Sequence, residues 1–298
     1  MLLRRSKLLY RAAVLVVAFI FPFLWTTQGV NASFYTNYTS AQRTNTRIFL
    51  QAFVNTNPRL QTLPAVDFCE WIYVSCTSKG VDVYLDEAAV VQLPELPAAA
   101  VGNHVMVTLI SVSYGTETLR GTLPASWARL SRIEYISLFS NSLTGTLPPE
   151  WSNMKTLKWF LLYENQLTGT IPESWSRLRF MTWVCLNENR LTGSLPPSWG
   201  TASRLTIIEA KNNKLSGTLP SEWSSLQRIS SITLSNNRLT GPLPDTWASA
   251  PTLNGVSVNG NSLCGCVPST WANHEFIYGI YVDPAVASAN CSTANACP

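Results

Sequence analysis

Apolar and polar positions along this chain alternate on two scales. Locally, Ile133, Ile136 and Leu138 are spaced so that the residues between them face the opposite side of an extended segment, and Leu157, Phe160 and Leu162 repeat that arrangement. At longer range, glycines stand at 121, 145, 169, 193, 217, 241 and 265, every interval being 24 residues. A leucine lies two residues before each glycine (Leu119 to Leu263), a proline three after it (Pro124 to Pro268) and a tryptophan six after it (Trp127 to Trp271). One such unit has a single apolar side and cannot bury it alone, so units of fixed length must stack into a solenoid. The expected fold is α/β: a parallel sheet on the concave face, with turns and short 3-10 segments on the convex face and a cap at each end.

Upstream of each glycine the residues follow L-x-x-L-x-L-x-x-N-x-L, the pattern of leucine-rich repeats. Asparagines at 141, 165, 189, 213, 237 and 261 form a ladder, and a buried amide both donates to and accepts from backbone groups that a turning strand leaves without partners. The coil of Gly121 carries Glu117 instead, as expected of an atypical first repeat. Glycine permits the backbone excursion after the strand, and proline stops the return segment from continuing as a helix. The recurring "LTGTLPPEW" form resembles plant-type repeats, and the seven tryptophans read as core on the convex side.

The ends read differently. An amphipathic helical pattern runs from Ser40 to about Phe53 and precedes "CEWIYVSC"; Val81, Val83 and Leu85 then mark a first, irregular strand. That order resembles the N-terminal cap of plant-type repeat proteins, and the resemblance implies a Cys69–Cys76 disulfide. At the far end Cys264 and Cys266 flank the last repeat glycine, and Cys291 and Cys297 follow. Cysteines one residue apart rarely bond each other, so each of the first two is expected to pair with one of the second two. Cys185 is left over. The division expected is a signal peptide over 1–32, leader and cap over 33–96, seven repeats over 97–272 and a C-terminal disulfide cap over 273–298.

Composition narrows the class. A hydrophobic fraction of 46% with 13% charged residues describes an ordered protein. The formal charge of +4 comes from 21 basic and 17 acidic residues, and Arg4, Arg5, Lys7 and Arg11 precede the apolar run Ala12 to Trp25; without them the count is 17 against 17. A nucleic-acid partner, which needs a basic face, is not expected. The basic n-region, that short apolar run and the exit at Val30-Asn31-Ala32 form a secretory signal, with a retained signal anchor the weaker alternative. Seven cysteines suit an oxidising compartment, and Asn37-Tyr38-Thr39 is a glycan acceptor.

Taken together, "SAQRTNTRIFLQAF", "DFCEWIYVSC", "GVDVYL", the "TGTLPPEW" repeats and "CGCVPSTW" resemble the leucine-rich-repeat surface antigens and proteophosphoglycan-like proteins of trypanosomatids. That resemblance implies a non-enzymatic, extracellular protein, secreted or on the cell surface, that meets host or environmental molecules. It also implies a Thr/Ser/Pro-rich stalk and a hydrophobic tail for a glycolipid anchor. This sequence ends at Cys297-Pro298, so the expectation is a protein secreted, truncated or held by its N-terminal segment, monomeric, and on a membrane only through that segment or an unrecognised lipid anchor.

Strand alternation sends Tyr135 and Phe139, then Trp159, Leu161 and Tyr163, then Trp183, Cys185 and Asn187 outward on adjacent strands. The pattern predicts an exposed aromatic patch that binds an extracellular protein. A glycan bound by the same rings with Asn187, Glu164 and Glu188 is the alternative, and a structural coat protein whose rings only steady its strands is the second. Glu164 and Glu188 share one position on adjacent coils, near the carboxylate separation of a retaining glycosidase. A shallow open surface would leave neither with the raised pKa that acid catalysis requires. His104 and His274 lack ligand-spaced neighbours, and Cys185 reads as a half-exposed spectator thiol. No cofactor or metal is expected.

Overall fold

A computed structural model describes residues 32–57, 60, 67–85, 90–113, 119–274, 276–290 and 297. Residues 1–31 of the expected signal segment, Glu117 and Cys291 therefore lie outside the described residues. Among the described residues ten short strands form one sheet in strict chain order, from Val74–Cys76 and Val81–Tyr84 through Val107–Ser111 to Gly279–Tyr281. The first pair is antiparallel and every later pair is parallel. That sequential order is the geometry of a solenoid. Across the chain from the sheet, seven 3-10 segments of five residues, Ala125–Arg129 to Ser269–Asn273, line the other face.

The seven repeat tryptophans are buried, and in five of the six neighbouring pairs the indoles stack nearly parallel: Trp127 and Trp151 have ring centroids 6.3 Å apart, and Trp247 and Trp271 are 6.2 Å apart. Each Nε1 donates to the proline carbonyl of the preceding coil, as from Trp175 to Pro148 at 3.0 Å and from Trp247 to Pro220 at 2.8 Å. The two ranks of residues are thus partners, and the proline supplies an acceptor as well as a bend.

The asparagine ladder makes the bonds expected of it. Asn165 Oδ1 accepts from the Leu143 amide at 3.0 Å, and its Nδ2 donates to the carbonyls of Leu138, Leu162 and Tyr163. Gly169 lies in the left-handed region at φ 75°, and a Cβ there would meet the Thr146 methyl at 2.8 Å, so this coil position requires glycine on both counts.

Each end is closed by polar side chains and sulfur. The helix Ser40–Thr56 starts on a Thr39–Gln42 capping box and buries Phe49, Leu50 and Phe53. Asn57, just beyond it, accepts from Val91 N and Gln92 N and donates to Phe53 O and Gln92 O. Cys69 and Cys76 are bonded, as are Cys264 and Cys297, and Cys266 is also in a disulfide. At the C-terminal end the Asp283 carboxylate accepts from Gly260 N at 2.8 Å and Asn261 N at 3.3 Å. In earlier coils the equivalent amides bond backbone carbonyls of the next coil, as Glu164 N does to Asn187 O, so Asp283 takes the place of those carbonyls.

Candidate functional site

The outward residues of consecutive strands come into register as three ranks. Tyr135, Trp159, Trp183 and Ile207 are aligned, and so are Ser137, Leu161, Cys185 and Glu209. Phe139, Tyr163, Asn187 and Lys211 follow two residues further along each coil. Their rings cover one another by a mixture of edge-on and stacked contacts. Tyr135 meets Trp159 edge-on at 4.9 Å, Trp159 meets Trp183 edge-on at 5.8 Å, and Phe139 stacks on Tyr163 at 4.5 Å with 5° between the planes.

This packing corrects the expectation of an exposed patch in part. Phe139 (7% exposed), Leu161 (3%), Trp183 (8%) and Cys185 (3%) form a hydrophobic cluster separate from the solenoid core. Trp159, Tyr163 and Ile207 pack on it partly exposed, Tyr135, Glu164 and Glu188 are half-buried, and Asn187 is buried. Direction is readable from alternation; mutual cover is not, because it depends on how rings from neighbouring coils lean on each other.

The polar groups around the cluster are engaged. Trp183 Nε1 donates to Glu209 Oε2 at 3.2 Å. Asn187 donates to the Cys185 sulfur at 3.3 Å and accepts from Lys211 N at 2.8 Å. Glu188 lies 3.6 Å from the Lys211 ammonium, and Glu164 accepts from the Ser140 hydroxyl at 2.5 Å. On the rim, Lys158 holds Glu134 at 2.5 Å and sits 5.5 Å over the Tyr135 ring. Nothing in the sequence marks Glu209 as the indole's acceptor, although it stands 26 residues on, one coil and two strand positions away.

Glu164 and Glu188 share a further property with Ser140, Asn212 and Asn236: all five have φ between 54° and 57°. A non-glycine residue there costs about 1–2 kcal/mol. A ladder of side-chain bonds offsets that cost, since Ser140 donates to Glu164, and Asn236 donates to Asn212 at 2.7 Å.

Cys185 is buried rather than half-exposed, and burial together with the Glu209 charge pushes its thiol well above the ordinary value. The folded protein is therefore expected not to react with a thiol reagent at pH 8 and to label fully in denaturant. Rapid labelling of the native protein would contradict this placement.

Beyond Ile207 the same face drops to small residues. Ser231, Thr233, Ser235, Gly255 and Ser257 form a floor, with Ser235 and Ser257 hydroxyls 2.7 Å apart. The aromatic ridge therefore stands beside a shallow polar shelf. His274 contacts the carbonyls of Ala248 and Leu253, at 3.1 and 2.6 Å, which gives it a structural post. Among the described residues no three His, Cys, Asp or Glu side chains could hold a metal ion, and no helix is long and apolar enough to cross a membrane.

Residues 132–154, 156–178 and 228–250 match the family model for the leucine-rich repeat. Over 104 residues the chain is 35% identical to the surface membrane glycoprotein GP46/M-2 of Leishmania amazonensis, a match covering 34% of this chain and 22% of that protein. Among solved structures it is similar to a TDR receptor, with 30% identity, a TM-score of 0.59, and 64% of this chain and 32% of that chain covered. It is also similar to the plant peptide hormone receptor RGFR1 in complex with RGF2, with 26% identity, a TM-score of 0.59, and 64% and 30% covered. The matches therefore span about a third or less of the length of each of these proteins.

Proposed function

We propose that this leucine-rich-repeat chain is an extracellular, non-enzymatic binding protein whose concave aromatic patch takes a protein partner. The observation that carries the reading is the second apolar cluster. The solenoid core is complete without it, so Trp159, Tyr163 and their neighbours gather apolar surface on a face that elsewhere carries serine and threonine. A ridge of partly exposed rings backed by buried ones is a rigid anchor surface, which suits a protein hot spot. The disulfides at both ends suit a secreted or surface protein, and GP46/M-2 is by name a surface membrane glycoprotein. The solved complex of RGFR1 with RGF2 supports an extracellular polypeptide partner.

The same rings could hold a glycan, the second reading. Against it, Trp183 and Asn187 are buried and already bonded, and the tryptophans meet edge to face, which leaves fewer flat ring faces for a sugar. Asn37 is exposed and its sequon is open to modification on the surface.

Trp159→Ala combined with Tyr163→Ala tests the reading better than any change at Trp183, because Trp183 is part of the buried set. In a pull-down from the extracellular milieu, the double variant is expected to lose the wild-type partner about 30-fold or more, equivalent to about 2 kcal/mol of hot-spot energy. Melting should stay cooperative. An unchanged partner list would refute the patch; glycan-array binding lost in the variant would favour the sugar; a change in melting alone would favour the coat reading.

A further inference from the structure

Outside its leader the chain has balanced charge, but the structure distributes that charge unevenly. In five consecutive coils a short turn leads from the 3-10 segment into the strand, over residues 130–134, 154–158, 178–182, 202–206 and 226–230. Glu134 is the one acid in those turns, and Lys158 occupies it at 2.5 Å. Arg132, Lys155, Arg179, Arg204 and Arg228 remain, joined by Arg177 at the end of its 3-10 segment, and all six are exposed. None forms an ion pair among the described residues. The Arg204 guanidinium lies 4.3 Å over the Phe180 ring.

We propose that this edge of the solenoid binds a linear sulfated glycan. Successive coils are about 4.8 Å apart, so five of them make a strip about 19 Å long. Cations stacked so closely repel one another unless an anionic partner runs alongside. Five of the six are arginines, whose planar fork pairs bidentately with oxyanions such as sulfate. The strip is long and narrow, which fits a single polymer strand rather than the plane of a bilayer. Phe180, the large apolar side chain exposed within it, carries the Arg204 guanidinium over its ring, and one such ring gives a bilayer little apolar surface to anchor. A disulfide-bonded extracellular chain meets sulfated polysaccharide more readily than nucleic acid. This edge is separate from the concave patch, and the inference stands without it.

The test uses the full chain and immobilised heparin. The wild type is expected to bind at physiological salt, with an affinity that falls steeply as salt rises. Arg179→Gln, Arg204→Gln and Arg228→Gln together should weaken binding at least tenfold, and the salt slope should fall by about one for each arginine–sulfate pairing removed. The control removes equal charge elsewhere: Lys79→Gln, Arg120→Gln and Arg190→Gln, exposed and set apart along the chain rather than stacked on consecutive coils, should change binding less than about twofold. The same three edge arginines changed to lysine keep charge and fold, and should bind between the wild type and the glutamine variant. Equal losses in the edge and control variants would overturn the proposal, as would no wild-type retention or equal binding to desulfated heparin. Tighter binding to a DNA duplex or to phosphatidylserine vesicles than to heparin would overturn it too.

Discussion

Trp175→Ala is expected to cost about 4–6 kcal/mol of stability. The side chain is buried, stacks on Trp151 at 6.3 Å and on Phe160 at 4.7 Å, and donates to Pro148 O at 3.0 Å. Removing a buried aromatic of this size costs about 3–5 kcal/mol, and the abandoned proline carbonyl adds about 1 kcal/mol more. The position matters as much as the packing. A repeat array holds together through nearest-neighbour interfaces, so a defect in a central coil weakens both junctions it shares. Denaturant titration followed by circular dichroism should show either a large fall in midpoint or two separate transitions. Trp175→Phe, which keeps most of the apolar volume, should cost clearly less. A loss below about 2 kcal/mol for the alanine variant would show that the column is not what binds the coils.

Asn189→Ala is the second large effect, expected at about 3–5 kcal/mol. Its Oδ1 accepts from Leu167 N at 3.0 Å, and its Nδ2 donates to the carbonyls of Leu162, Leu186 and Asn187 at 3.0, 3.2 and 3.1 Å. Alanine would leave these buried groups without their partner, at about 1–3 kcal/mol for each that water cannot reach. Asn189→Asp should be no better, since an ionised carboxylate accepts but cannot donate to the three carbonyls. The measurement is urea unfolding of both variants at matched pH. A cost near zero for alanine would mean that water enters the turn and does the amide's work.

Much of the scaffold is legible in the sequence because its physics is periodic. One spacing places Leu157, Phe160 and Leu162 inside, sets Asn165 at the turn and puts Trp175 on the far side, and the structure buries all five. The cap disulfide at Cys69 and Cys76 follows the resemblance that implied it, while the choice of Cys297 for Cys264 comes only with the folded tail. What stays hidden depends on packing between coils rather than along one. Trp183 points away from the core as alternation requires, yet it is buried by Trp159 and bonded to Glu209. The left-handed backbone at Glu164 and Glu188 carries no residue signature, since serine, glutamate and asparagine all occupy that position. The cationic edge is only partly visible in the repeat pattern: Arg132, Arg204 and Arg228 share one offset and Lys155 and Arg179 the one before it, so no single position carries a cation in every coil and the strip is assembled only when the turns fold side by side. A balanced total charge conceals such a strip.

The bonds of the tryptophan column and the asparagine ladder share a direction. Trp151 Nε1 reaches back to Pro124, Asn141 Oδ1 reaches back to Leu119 N, and Trp127, in the first of the seven units, reaches back to Pro94 beside the N-terminal cap. A ribosome delivers the chain in that same order. Each newly emerged coil finds the partners of its tryptophan Nε1 and asparagine Oδ1 already in place on the coil made before it, with the cap as the first template, while sheet amides such as Leu138 N, which donates to Leu161 O, are satisfied only when the next coil arrives.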